Sequence, residues 1–344
     1  MRGIARLARE LGVSTATVSR ALNGNPNVNA ETRQKVLEAA HRQGYAPNQA
    51  ARSLAQGVTR SVGFMIELDP ENTAGTDYFF MGVLEGMQNV LVGQGLDLFV
   101  LPCARAQDNF VFLQRIASRG VVDGMILAET RRIDQRIELL QSSHIPFVTL
   151  GRSDSGRDYS WIDLDFEGVV ATAVDRLVGF GHRRIAVTVP TGDANYGPIF
   201  EQAYRDNLAR HGLPYDPDIV LKAGRREDEG DAIVDHLLSR PDPATAVILF
   251  HEVTAIGVYR RLDQLRLQPG RDLSIIGCRS EDAVRFLAPE ITCFHLSLQD
   301  LGSAAARALL AQLPSSARRE PVEHVQQRMP LTLVPGKSDG PRIG

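Results

Sequence analysis

Residues 4–22 read IARLARELGVSTATVSRAL, and this stretch decides how the head of the chain folds. Ile4, Leu7, Ala8 and Leu11 recur at helical spacing, and Gly12 supplies the positive φ that closes such a helix. Ser14 stands where it caps a second helix running to Leu22, with Val18 and Ala21 or Leu22 turned inward. Two helices crossing at a sharp angle need a small residue at the contact, which is Ala8, and an anchor on the second helix, which is Val18. Thr15, Ala16, Thr17, Ser19 and Arg20 are left on the outside of a helix sized for the major groove of DNA. Small polar residues at its start permit close approach, and Arg20 reaches phosphate or guanine edges. Taken alone, the pattern also suits any helical hairpin.

Outward from there, AETRQKVLEAAHRQ (30–43) reads as a third helix capped by Asn29, with Val36, Leu37 and Ala40 as its apolar face and Gly44 at its end. Pro47-Asn48 interrupts the chain, and QAARSLAQ (49–56) follows as a short helix closed by Gly57. Charge sets this head apart. Residues 1–60 hold nine basic side chains against three acids, while the remainder holds 29 against 38, within a net charge of −3. A basic head on an acidic body implies that only the head meets a polyanion.

Beyond Ser61 the texture changes to short apolar strands alternating with amphipathic helices. SVGFMIEL, DLFVL, DGMILA and PFVTLG form a first series, and SWIDL, RIAVTV, ATAVILF and LSIIGC a second that starts at Ser160. This β-α-β alternation implies parallel sheets covered on both faces by helices. Two such sheets predict two lobes, with a cleft at the carboxyl ends of their strands. GKSDGPRIG, the polar stretch after Pro335, reads as a flexible tail (336–344).

The run 13–57, VSTATVSRALNGNPNVNAETRQKVLEAAHRQGYAPNQAARSLAQG, resembles nearly position for position the head of the lactose-repressor (LacI/GalR-type) family of bacterial transcription regulators. Further along, SVGFMI, DYFFMGVLEGM, VDGMIL, FGHRRIAV, DLSIIG and the turn Pro289-Glu290-Ile291-Thr292 are similar to family segments, so the resemblance spans almost the whole chain. It implies an α/β fold with an all-α helix-turn-helix head (1–47), a hinge helix and linker (48–59), and a bilobed periplasmic-binding-protein-like body (60–335). Within that body the expected N-subdomain covers about 60–160 and 292–323, and the C-subdomain about 161–291 and 324–335. It further implies a cytoplasmic homodimer on pseudo-palindromic operator DNA. Thr15, Ala16 and Arg20 fall on base-reading positions, and Asn48, Arg52, Leu54 and Ala55 belong to the hinge region. Leu54 matches a leucine that wedges into the minor groove, where unstacking is offset by bending DNA onto more protein. The plainer reading of Leu54 is the apolar side of a short amphipathic turn.

The resemblance also implies a small effector, most often a neutral sugar, between the lobes. Several positions depart from the usual pattern. The G-[FY]-D-[DNS] segment reads Gly277-Cys278-Arg279-Ser280, and an Asn-Asp pair reads His251-Glu252. A customary arginine aligns with Phe200, an aspartate with Gly151 beside Arg152, and an often aromatic position with Arg225. Phe79, Phe80 and Tyr196 remain as stacking or walling residues. Three arginines gained and two acceptors lost point to a phosphorylated or acidic sugar, because arginine grips such groups bidentately. The competing reading has Arg152 and Arg225 facing solvent or pairing with Glu129 and Glu252, and a further one leaves the cleft without a ligand.

Catalytic and metal-binding patterns are not found in the sequence, which lacks phosphate loops, nucleophile elbows and metal-ligand spacings of its histidines and cysteines. No cofactor is expected, and the chain is not expected to be an enzyme. Asp163 and Asp165 are read as a strand end, where one polar group faces the cleft or caps the next helix. Cys103, Cys278 and Cys293 are too few and too scattered for a disulfide framework. The expected function is repression of a carbohydrate uptake or utilisation operon. The alternatives are a solute-binding protein, which shares the bilobed body, or an activating or effector-independent regulator.

Overall fold

The computed structural model describes residues 3–22, 25, 27–45, 58–68, 76–104, 106–156, 158–279, 284–314 and 323–342. The chain divides into two compact units, Met1–Arg60 and Ser61–Gly344. The first holds helices α1 (Ile4–Glu10), α2 (Thr15–Leu22) and α3 (Ala30–Arg42). Their core is Leu7, Ala8, Val18, Ala21, Val28, Val36, Ala39 and Ala40, all buried. Each turn is capped locally. Ser14 Oγ accepts from the Thr17 amide at 3.0 Å, Asn29 Oδ1 accepts from the Thr32 amide at 2.7 Å, and Gly12 takes φ 64° between α1 and α2. One expectation fails here. Leu37 is 44 % exposed, and Ala39 takes its place against α1 and α2 because the inward stripe runs through 36, 39 and 40. The expected helix at 49–56 lies outside the described residues.

In the second unit, β1 (Ser61–Leu68), β2 (Asp97–Ala104), β3 (Gly124–Leu127), β4 (Phe147–Leu150), β5 (Ser160–Leu164) and β11 (Gln326–Met329) form one sheet. Its order is β11-β5-β4-β3-β1-β2, and every pairing is parallel. The other sheet contains β6 (Ile185–Pro190), β7 (Val220–Ala223), β8 (Ala246–Leu249) and β9 (Ser274–Gly277), again all parallel, in the order β7-β6-β8-β9. Both sheets reverse strand order beside their first strand, which opens a crevice at the carboxyl ends. The chain crosses between the lobes after β5 and through an antiparallel ribbon of β10 (Cys293–His295) and β12 (Thr332–Val334).

Helices cover the sheets. The first lobe carries α4 (Thr76–Val92), α5 (Asn109–Arg119), α6 (Gln135–Ser142) and α11 (Leu298–Leu310). The second carries α7 (Phe166–Gly179), α8 (Tyr196–Arg210), α9 (Glu229–Leu238) and α10 (Thr254–Gln264). Helices α4 and α11 touch backbone to backbone: a Cβ on Gly86 would lie 2.0 Å from the Gln299 carbonyl oxygen, and one on Gly302 1.9 Å from that of Val83. Among the described residues no helix is long and apolar enough to cross a membrane.

Two further expectations are corrected. Strand β5 stands in the second series, and both β5 and β11 fall within the expected C-subdomain, yet they hydrogen-bond into the first sheet, Trp161 opposite Gln326 and Thr149 opposite Trp161. The stretch after Pro335 is no loose tail. Ser338 is fully buried, its carbonyl accepts from the Ile275 amide at 2.7 Å, and its hydroxyl donates to the Ile275 carbonyl at 2.6 Å. The buried Asp339 carboxylate binds Arg176 and the Thr292 hydroxyl, and the Gly340 carbonyl meets His182 Nε2 at 3.0 Å. Polar composition suggested a solvated tail, but these polar groups bond to β9 at Ile275 and to Arg176, Thr292 and His182 around it.

Candidate functional site

On α2 the predicted reading face forms as a surface. Thr15, Ala16 and Arg20 are exposed and Thr17 and Ser19 half-buried, opposite the buried Val18 and Ala21. The first turn of α2 contains no acidic residue, so its helix dipole favours an approaching phosphate. Arg20 Nε donates to the Ala16 carbonyl at 3.3 Å, and the Ser14 and Thr17 hydroxyls lie 2.8 Å apart. Asn48, Arg52, Leu54 and Ala55 lie outside the described residues.

The second candidate site is the crevice between the two lobes of the larger unit. It encloses about 750 Å³ of space outside the protein atoms, part of it continuous with solvent. Strand ends supply its walls, as the sheet topology requires: Glu129 and Thr130 follow β3, Arg152 follows β4, and Phe250, Cys278 and Arg279 follow β8 and β9. Of the expected effector residues, Phe79, Phe80, Glu129, Arg152, Tyr196, Arg225 and Arg279 line this space. Phe200, His251 and Glu252 do not. Phe200 is fully buried behind Phe250, with ring centres 4.9 Å apart, and Glu252 stands behind Arg279.

Sequence reasoning did not single out Phe166 and Phe250, which form the aromatic floor. Phe250 stacks on Tyr196 at 5.4 Å and on Phe166 at 5.6 Å. The placement of ligands at the carboxyl ends of strands would have flagged Phe250, the last residue of the run AVILF. Asp163 and Asp165 divide the two roles foreseen for them: Asp163 lines the crevice, and Asp165 caps α7 by accepting from the Gly168 amide at 3.3 Å.

Every arginine in the wall faces a carboxylate. Arg152 binds Asp163 at 2.7 Å and both oxygens of Glu167 at 2.9 and 3.0 Å. Burial raises the pKa of Asp163 against the pull of Arg152; in Glu167 burial acts the same way, but the two Arg152 bonds win and hold it below the usual range. Arg279 reaches Glu252 at 3.3 Å and lies 4.6 Å from the centre of the Phe79 ring. Arg225 is 4.0 Å from Glu129, which also accepts the Tyr196 hydroxyl at 3.0 Å. Burial, with Glu129 adding to it, keeps that phenol protonated. His251 is held neutral by burial and by the nearby Arg225 and Arg279, and burial pushes the Cys278 thiol up to about 12. The rim is bonded across as well, with the Asn195 amide donating to the Thr130 carbonyl and its side chain to the Arg152 carbonyl, each at 2.8 Å.

Among the described residues the crevice offers ion-paired donors and acceptors between aromatic faces. Residues 1–48 match the model of bacterial regulatory proteins of the lacI family, and residues 174–338 match that of a periplasmic binding protein-like domain. The chain is 36 % identical over 313 residues to the HTH-type transcriptional regulator AglR of Rhizobium meliloti (strain 1021), covering 89 % of this chain and 86 % of that one. Its fold is similar to that of the lac repressor dimer bound to operator and the anti-inducer ONPF, with a TM-score of 0.71 for a second neighbour, a CelR–cellobiose complex, and 0.81 for the repressor itself. The repressor is 20 % identical, covering 96 % of this chain and 97 % of that one; the CelR structure is 24 % identical, covering 98 % and 100 %.

Proposed function

The chain belongs to the lacI family of bacterial regulatory proteins, a family of DNA-binding transcription regulators without enzymatic activity, and from this we propose that it represses a carbohydrate uptake or utilisation operon under the control of a neutral, hydroxyl-rich effector. It acts in the cytoplasm as a homodimer. Residues 1–47 read paired half-sites of a near-palindrome through Thr15, Ala16 and Arg20, and residues 48–59 join this head to the effector-binding body.

One observation carries the choice of effector: the wall arginines are matched by Asp163, Glu167, Glu129 and Glu252. Such pairs present donors and acceptors to hydroxyl groups with little net charge, and the Tyr196, Phe166 and Phe250 rings suit the C–H faces of a sugar. A regulator of similar fold is known as a complex with cellobiose. These contacts favour the competing reading, in which the arginines pair with acids such as Glu129 and Glu252, over an acidic or phosphorylated ligand.

The test is a thermal-shift screen of the full chain against neutral oligosaccharides, sugar phosphates and sugar acids. A ligand at a hundred times its Kd adds about 2.7 kcal/mol to the folded state. Stabilisation by a neutral sugar, together with a change in operator affinity, is the expected result. Stabilisation by sugar phosphates or acids alone overturns the neutral reading. A reporter strain lacking the gene should show raised transcription from the operator-bearing promoter, and lowered transcription there would make the protein an activator.

A further inference from the structure

Glu129 is unusual in both backbone and side chain. It is a non-glycine residue at φ 52°, in the left-handed region where an L side chain crowds the following carbonyl. Arg136 holds it there. This arginine is 1 % exposed, and its guanidinium donates to the Glu129 carbonyl at 3.0 Å and the Ala128 carbonyl at 3.2 Å. Arg136 is itself fixed by Asp134 at 2.7 and 2.9 Å and by Glu67 at 3.4 Å. A buried network satisfied in this way is rigid, so the direction of the residue it holds is set in advance.

The carboxylate so placed meets two groups from the other lobe, the Tyr196 hydroxyl at 3.0 Å and the Arg225 guanidinium at 4.0 Å. A phosphate or carboxylate entering the crevice needs the same two partners, an O–H donor and a guanidinium. We propose that Glu129 is the specificity-determining residue of the crevice: it occupies the anion position with the protein's own carboxylate, turns away phosphorylated and acidic ligands, and admits neutral ones. This rests on reading the crevice as the effector site. Arg136 acts as a positioning residue, through Glu129.

The experiment uses the full chain, with inorganic phosphate as the probe. Binding is followed by calorimetry and by the emission of Trp161, the sole tryptophan, whose ring lies 5.6 Å from the Arg152 guanidinium. Glu129→Gln keeps an acceptor for the Tyr196 hydroxyl and removes the charge. It should bind phosphate saturably and about tenfold or more tighter than the parent chain. The double variant Glu129→Gln/Arg225→Gln should lose that gain, which separates the crevice from phosphate attracted to the basic head. Glu129→Ala serves as a second route to the same gain if the glutamine variant folds poorly. Saturable phosphate binding by the parent chain that Arg225→Gln abolishes overturns the proposal, as does a folded Glu129 variant that gains nothing. If the parent binds a neutral sugar while the variants gain no phosphate, the proposal fails and the effector site stands. If no neutral sugar binds but the variants gain phosphate at Arg225, the exclusion of anions by Glu129 stands and the neutral-effector reading fails.

Discussion

Arg20 is exposed on α2 with one guanidinium nitrogen donating along the helix to Ala16, an arrangement that holds the side chain at the predicted reading face. If it reads a base, Arg20→Ala loses about 1–3 kcal/mol and relaxes choice at one operator position. Fluorescence anisotropy over a set of singly substituted operators measures this, and an equal loss on every sequence reduces Arg20 to a phosphate contact. His251 gives a different signature. Burial, reinforced by Arg225 and Arg279, holds its folded-state pKa well below the ordinary 6.5. The unfolded chain therefore takes up the proton first, and stability that is complete above about pH 6.5 is lost as the pH falls toward the folded-state value. Melting temperature should drop on acidification through this window, and His251→Asn should flatten the curve. An equally steep curve in the variant would place the titrating group elsewhere, with His182, whose pKa burial also lowers, as the next to test.

At the scale of elements, the contact of α4 with α11 has no room for a side chain. Gly302→Ala sets a methyl 1.9 Å from the Val83 carbonyl oxygen, so the helices must part. Overpacking of this kind costs about 1–3 kcal/mol, read as a lower denaturation midpoint. The irregular stretch 336–342 is as demanding. Asp339→Ala strips Arg176 and Thr292 of a buried partner, and the broken pair should cost about 3 kcal/mol in urea unfolding. An unchanged midpoint would show that the stretch does not hold the sheet edge. These two cases also mark how far local sequence reaches. Helices α1 to α3 and the individual strands were legible because period and caps lie within a few residues, as with Ser14, Asn29 and SVGFMIEL. Which sheet β5 joins was not, because nothing within SWIDL distinguishes the two lobes, and pairing with β4 on one side and the distant β11 on the other is set only in the fold. The crevice was half legible for the same reason. Its arginines are visible one by one, and pairing with Glu129 and Glu252 was among the readings, whereas Asp163 and Glu167, the acids that neutralise Arg152, come from other elements and meet it only in the fold.

At the scale of the whole molecule, DNA binding and effector binding should part company in salt. A dimer that displaces six or more phosphate counterions loses affinity about a thousandfold or more between roughly 50 and 200 mM salt, whereas a neutral sugar in a crevice of matched charges should bind almost unchanged. Titrating both on one preparation checks this, and parallel salt slopes would mean that the effector is charged. The order in which the sheets are completed bears on how the protein is made. The six-stranded sheet begins with β1 but closes only when β11 pairs with β5, after every strand of the four-stranded sheet has been passed. A chain emerging from the ribosome therefore leaves both lobes open until its last residues, since Ser338 and Asp339 complete the second lobe later still, while the three-helix head is built from neighbouring residues. For much of its synthesis the nascent polypeptide carries a finished reading head tethered to an unfinished sensor.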